Sequence, residues 1–183
     1  MSDLQQLIAG CKQKDRLARQ KLYERYAPAM LGICVRYVSE KETAQDIMQE
    51  GFIKIFTKID GYSEIGSFEG WMKKVFVTTA LEHLRNTKLF HLLINWEDCS
   101  EIVDNQDISV VEKLSADEIL HCINELPAGF KTVFNLYAIE GYSHTEIAGM
   151  LNIKEGTSRS QFARARQMLQ TKIQKMNKYA GNE

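Results

Sequence analysis

Proline is nearly missing from this chain, with 2 residues in 183. A proline inside a helix removes a backbone donor and crowds the preceding turn, so its scarcity favours long helices over a turn-rich β fold. Long apolar runs are missing as well. No stretch approaches the roughly 18 residues that a membrane span needs. The opening residues Met1 to Gln5 lack a basic segment followed by an apolar one, so the expectation is a cytoplasmic protein with no membrane span and no secretory signal. Cysteine is sparse and scattered: Cys11, Cys34, Cys99 and Cys122 form no CxxC pair. None of His83, His91, His121 and His144 completes a zinc-ligand spacing with them. Reduced thiols are the simplest reading, and a disulfide framework is not expected. Neither a metal, a cofactor nor a catalytic residue is expected from these patterns. A dominant charge is also lacking, because 23 basic and 24 acidic side chains leave a net charge of -1. That sum looks unfavourable for a nucleic-acid partner, but it hides its distribution.

What is present is helical periodicity. Leu4, Leu7, Ile8 and Cys11 recur at helical spacing, followed by Leu17, Leu22, Tyr23 and Tyr26. Leu31, Cys34, Val35 and Val38 continue the pattern beyond Pro28. Ala44, Ile47, Met48, Phe52, Ile55, Phe56 and Ile59 form an apolar stripe. Asp46, Gln49, Glu50 and Lys54 fall outside that stripe and share a polar face, which suits either solvent or a basic docking partner. The segment Gly61 to Ser67 reads as a loop. A further helix is predicted from about Phe68 to Arg85.

Residues 96–118 differ in kind, with eight acidic residues against Lys113 alone, a net charge of -7. The stretch before Ser109 has no helical period. The predicted fold is therefore all-α: two small helical domains, 1–95 and 109–183, joined by an acidic flexible linker, 96–108. The linker, Asp98 to Asp107, is expected to be mobile in the free protein. Residues 153–183 carry a net +5, so the basic charge collects at the end of the chain. A stretch of this kind can bind phosphate, and the acidic linker could shield it.

The most specific local signal lies between residues 140 and 166. Gly141 can end one helix. Ser143 with Glu146 three residues later forms a capping box that starts a short helix. Ile147, Met150 and Leu151 give that helix an apolar side, and Asn152 tolerates the left-handed backbone of a tight turn. A second helix is predicted from about Lys154. Such a pair is a helix-turn-helix, whose second helix enters the major groove. Phe162, Ala165 and Leu169 form the predicted buried stripe of the second helix. Thr157, Arg159, Ser160, Gln161, Arg164 and Arg166 are the candidate DNA contacts. An amphipathic hairpin with merely solvated arginines is the plain alternative.

Several motifs resemble one family. Ala44 to Phe56 is similar to the core-binding motif of bacterial sigma factors. Phe68 to Val75, ending near Leu84 and Arg85, resembles their promoter-melting helix. Leu126-Pro127, Val133-Phe134, Glu140 to Ser143, Glu146 to Ala148, Glu155 to Thr157, Arg159-Ser160 and Arg164 to Arg166 resemble their C-terminal DNA-binding domain. Order, linker and length are similar to those of the extracytoplasmic-function group of the sigma-70 family.

The resemblance implies a non-enzymatic protein that confers promoter specificity on core RNA polymerase. Asp46, Gln49, Glu50, Phe52 and Lys54 would contact the polymerase, whose β′ clamp helices and β flap are the implied partner surfaces. Tyr62, Ser63, Phe68, Lys73, Lys74 and Arg85 would handle the minus-ten element. Aromatic and basic side chains suit that task, because opened DNA exposes unstacked bases and phosphates. Phe68 and Trp71 fit core packing and base contact alike, with Trp71 the stronger core candidate. The helix-turn-helix, 143–166, would read the minus-thirty-five element. An anti-sigma factor is a further implied partner. The family usually has Asn at Thr78, Asp at Glu82, a small serine cap at Lys154 and an apolar residue at Ser158. Other functions remain open: a stand-alone helix-turn-helix repressor, a small Cys/His enzyme, or a helical interaction module.

Overall fold

A computed structural model describes residues 2–87 and 115–180. The expected linker, Cys99, the boundaries at 95 and 109, and the helix onset at Ser109 lie outside the described residues. The described chain is helical and separates into two compact units that divide at Leu84.

In the first unit, α1 (Asp3–Lys12) is started by a capping box. Ser2 accepts from the Gln5 amide at 3.3 Å, and Gln5 Oε1 accepts from the Ser2 amide at 2.8 Å. Lys14 turns the chain through a positive φ of 61°. Asp15 then caps α2 (Arg16–Tyr37), accepting from the Ala18 amide at 2.6 Å. The apolar runs on either side of Pro28 belong to this one helix. Leu22, Tyr26, Met30, Ile33, Cys34 and Tyr37 are buried on both sides of the proline, while Pro28 itself is exposed. Packing of a continuous face offsets the loss of one hydrogen bond.

Helix α3 (Lys41–Lys58) buries Ala44, Ile47, Met48, Gly51, Phe52 and Ile55, and ends in a short 3₁₀ turn, Ile59–Gly61. A loop leads into α4 (Phe68–Arg85). Phe52 of α3 meets Phe76 of α4 edge to face, with centroids 5.1 Å apart, and also packs on Tyr23 of α2 at 4.7 Å. Gly51 is what allows this approach. A Cβ there would come within 2.4 Å of the buried Phe76 ring.

In the second unit, Ser115 and Glu118 form a capping box for α5 (Ala116–Asn124). Pro127 stands at the N-cap of α6 (Ala128–Phe134), just ahead of the first turn, where its missing amide costs nothing. That helix runs on through a π-helical turn, Asn135–Ile139. Gly141, at φ 80°, ends it. Two further helices follow, α7 (His144–Leu151) and α8 (Glu155–Ala180). Cys122, Ile123 and Leu126 form a core with Ala165 and Leu169 of α8, and Ile119, Phe130, Phe134 and Met176 pack against it. An ion pair between Glu125 and Lys172 joins α5 to α8 at the surface.

Gly51→Ala is expected to destabilise the protein by about 1–3 kcal/mol, since overpacking outweighs the gain in helix propensity. Gly32→Ala lies on α2 with open space around its Cβ. It is expected to stabilise by about 0.5–1 kcal/mol. Denaturant unfolding of both variants checks the pair, and equal effects of one sign would refute the packing account.

Candidate nucleic-acid and protein interface

Helix α3 presents the predicted polar face. Asp46, Gln49 and Glu50 are exposed on it, opposite the buried stripe. Lys54 is drawn inward from this group. Its Nζ pairs with Glu50 at 2.7 Å and with Glu82 of α4 at 2.6 Å. Burial alone would lower the Lys54 pKa, but its hydrogen bonds to Glu50 and Glu82 outweigh that and hold it above its ordinary value. Lys54 thus ties two helices together. Phe52 is a correction to the sequence reading. It is 3% exposed and belongs to the core beneath this face, so it offers a partner no surface.

The loop between α3 and α4 brings a second correction. Tyr62 and Phe68, implied as contacts to the minus-ten element, are both buried. Their rings meet edge to face with centroids 5.1 Å apart, Tyr62 lies 5.3 Å from Trp71, and Phe68 reaches Tyr26 at 6.2 Å. The Tyr62 hydroxyl donates to the Gly66 carbonyl at 3.0 Å, so its polar tip is satisfied within the loop. Large aromatic surfaces gain more from such packing than from water. The expected order of Phe68 and Trp71 is also reversed. Phe68 is fully buried, whereas Trp71 keeps part of its surface accessible.

What the loop does expose is Ser63 and, at 86%, Ile65. No periodic signal marked Ile65, because the loop has no repeat to depart from. Positive φ angles at Glu64 (60°) and Gly66 (81°) shape this tip. Lys12 of α1 anchors it, donating to the Tyr62 carbonyl at 3.4 Å and pairing with Glu64 at 3.8 Å. Lys73 and Lys74 are exposed on α4, Lys73 in an ion pair with Glu69 at 2.9 Å, and Arg85 is half-buried at the end of that helix. The unusual Thr78 donates its hydroxyl to the Lys74 carbonyl at 2.7 Å. The equally unusual Glu82 is the partner of Lys54.

The helix-turn-helix forms by the predicted signals. Ser143 and Glu146 make the capping box: the Glu146 carboxylate accepts from the Ser143 amide at 2.8 Å, and Ser143 Oγ accepts from the Glu146 amide at 3.2 Å. Asn152 takes the left-handed conformation, with φ 55° and ψ 49°. Ile147 and Leu151 are buried, and Ile153 is half-buried. At the start of α8, Arg159 and Ser160 are exposed and Thr157 is partly so. Arg164 and Arg166 are half-buried farther along.

Gln161 is a third correction. It is 2% exposed and points into the core, so it reaches no base edge from this position. The reason is helical phase: Gln161 lies one turn before Ala165 on the same buried side. Ser158, in a place that is usually apolar, is fully buried. Its Oγ lies 2.9 Å from His144 Nδ1, which satisfies the hydroxyl. His144 stacks on Tyr137 at 4.3 Å. Burial and then the nearby Arg159 charge hold the His144 pKa below its ordinary value, against Glu155.

Sequence reading missed one network here. Glu155 Oε1 accepts from Arg159 Nε at 3.2 Å and from Nη2 at 2.5 Å, while Oε2 accepts from Thr145 Oγ1 at 2.9 Å. The four-residue spacing of Glu155 and Arg159 was its only trace in the sequence. Hydrogen bonds from Arg159 and then Thr145 hold the Glu155 pKa below the usual carboxylate value.

Comparison with known proteins agrees with this geometry. Residues 22–90 match the family model for sigma-70 region 2, and residues 116–169 match that for sigma-70, region 4. The ECF RNA polymerase sigma-E factor of Haemophilus influenzae is 31% identical over 182 residues, covering 93% of this chain and 95% of that protein. The RNA polymerase sigma-H factor of Pseudomonas aeruginosa is 29% identical, covering 93% of each. Among solved structures, CnrH in complex with the cytosolic domain of CnrY shares the fold, with a TM-score of 0.50, 17% identity, and 92% of this chain and 95% of that one covered. The sigma factor RpoE in complex with the anti-sigma factor NepR from Bartonella quintana also has a TM-score of 0.50, at 19% identity, covering 85% of this chain and 96% of that one. The chain belongs to the extracytoplasmic-function sigma factors of the sigma-70 family, the proteins that direct promoter-specific transcription initiation.

Proposed function

We propose that the first unit docks on core RNA polymerase and handles the minus-ten element, and that the second reads the minus-thirty-five element. The observation that carries this reading is the pairing of an exposed acidic face on α3 with an exposed arginine at the start of a helix-turn-helix reading helix. Asp46, Gln49 and Glu50 meet the β′ clamp helices, and Lys54 holds the face in place from behind. The second unit rests on the β flap.

The minus-ten surface consists of Ser63 on the loop, Lys73, Lys74 and Arg85 on α4, and the accessible part of Trp71. Tyr62 and Phe68 support that loop from within. The minus-thirty-five surface consists of Thr157, Arg159, Ser160, Arg164 and Arg166, without Gln161. Arg159 suits a guanine, whose O6 and N7 accept two parallel donors. An anti-sigma factor is a further partner, by likeness to CnrH and RpoE, whose structures are complexes. The protein works in the cytoplasm beside the polymerase. No described helix is long and apolar enough to cross a membrane.

Other readings have less support. A repressor leaves the acidic face on α3 without a task. An enzyme using a thiol would need a reactive one. Among the described residues, Cys11, Cys34 and Cys122 are buried; burial raises the Cys11 pKa and pushes that of Cys34 up to about 12. A thiol held protonated is a poor nucleophile.

Asp46→Arg combined with Glu50→Arg is expected to weaken binding to purified core polymerase by about tenfold or more, since like charges would face each other at the contact. Undiminished affinity in a titration with core enzyme would remove the α3 assignment. Arg159→Ala is expected to cost about 1–3 kcal/mol of discrimination at one minus-thirty-five base pair. In vitro transcription from promoters altered at single positions measures this. A variant with the wild-type order of preference contradicts the readout role.

A further inference from the structure

Arginine discriminates bases only when its planar fork arrives in one orientation. A solvated arginine near a helix end samples many rotamers, and each is lost on binding. Arg159 has 65% of its side chain exposed, so packing does not hold it. A carboxylate does. Glu155 accepts from Nε and Nη2, which is one edge of the guanidinium. The other edge, formed by Nη1 and the second hydrogen of Nη2, stays available. A guanine needs two parallel donors from one edge, and that free edge supplies them.

An exposed pair at four-residue spacing is by itself weak and loosely oriented. Here the carboxylate is fixed at its other oxygen. Thr145 lies on α7, the first helix of the helix-turn-helix, and its hydroxyl donates to Glu155 Oε2 at 2.9 Å. Glu155 sits in the first turn of α8, where the helix dipole favours a negative charge. Thr145, Glu155 and Arg159 therefore form a chain from the supporting helix, through a carboxylate, to the reading side chain.

We propose that Glu155, latched by Thr145, is a positioning residue that aims Arg159 at a base edge and thereby sets sequence preference rather than affinity. This rests on the reading that Arg159 contacts a base. The role has an unusual signature, because a carboxylate close to DNA repels phosphate. Removing its charge leaves overall affinity unchanged or raises it, while preference falls. Loss of a merely structural contact would lower both.

The test uses holoenzyme assembled from the full chain and core polymerase. The probe is a duplex DNA library randomised over both promoter elements, selected by binding and sequenced. Arg159→Ala is expected to lose preference at one base pair. Glu155→Gln, which keeps size but lets the guanidinium swing, is expected to lower preference at that same base pair by about tenfold, with total DNA retained equal to or above wild type. Thr145→Val is expected to shift the same position in the same direction, by less. In the Arg159→Ala background, Glu155→Gln is expected to lower preference no further.

Loss of preference in Arg159→Ala with wild-type preference in both Glu155→Gln and Thr145→Val overturns the latch and leaves the base contact standing. Losses spread over all positions, or a further loss in the double variant, also overturn it, as a general structural effect. Full preference in Arg159→Ala overturns the base contact itself and the latch with it.

Discussion

Each functional helix of this protein commits one face to its core, and the face left over is all it can offer a partner. Helix α3 illustrates the constraint. Ala44, Ile47, Met48, Gly51, Phe52 and Ile55 lie inward, with Phe52 packed on Tyr23 of α2 and Phe76 of α4. Asp46, Gln49 and Glu50 are outward because a period of 3.6 residues leaves them nowhere else to be. Helix α8 obeys the same rule. Once Ala165 and Leu169 join the core, Ser158 and Gln161 follow them in, and Arg159 and Ser160 are turned to the surface. Recognition in this protein is therefore a by-product of packing, and its precision depends on how firmly the packing is held.

That firmness comes from small devices at the ends of helices. Capping boxes at Ser2, Ser115 and Ser143 satisfy amides that would otherwise be left unpaired. Left-handed Asn152 sets the angle at which α8 leaves α7. Polar links then bridge neighbouring helices on the surface: Lys54 between α3 and α4, Glu125 with Lys172, and Thr145 with Glu155. Two of the four positions that depart from the family pattern, Glu82 and Ser158, are each half of a polar link between helices. Glu82 meets Lys54, and Ser158 meets His144. Their chemistry is unusual for their places but satisfied there.

The sequence carried most of the fold. Helical periodicity, the scarcity of proline, the capping box at Ser143 and the turn at Asn152 each acted through neighbours within a few residues. Signals of that range can be read directly from the order of residues. The acidic face of α3 and the exposed Arg159 were legible for the same reason. The errors share a cause of longer range. Tyr62 and Phe68 were assigned to DNA because aromatic rings beside basic residues suit bases. Only the approach of Tyr26 and Trp71 shows that these rings are already occupied. Gln161 suits adenine chemically, but its direction depends on which side of α8 meets the core.

By itself, then, the sequence determined that the described segments are helical, where the helix-turn-helix begins and turns, and that basic charge gathers at the end of the chain. Those properties follow from hydrogen bonding and burial within single helices. Tertiary structure decided which side chains remain accessible, and which are held by others. It withdrew Phe52, Tyr62, Phe68 and Gln161 from the surface, exposed Ile65, and joined Thr145 to Glu155 across ten residues of chain. The reason is that direction and partnership of a side chain are set by what packs against its helix, and that information is not local.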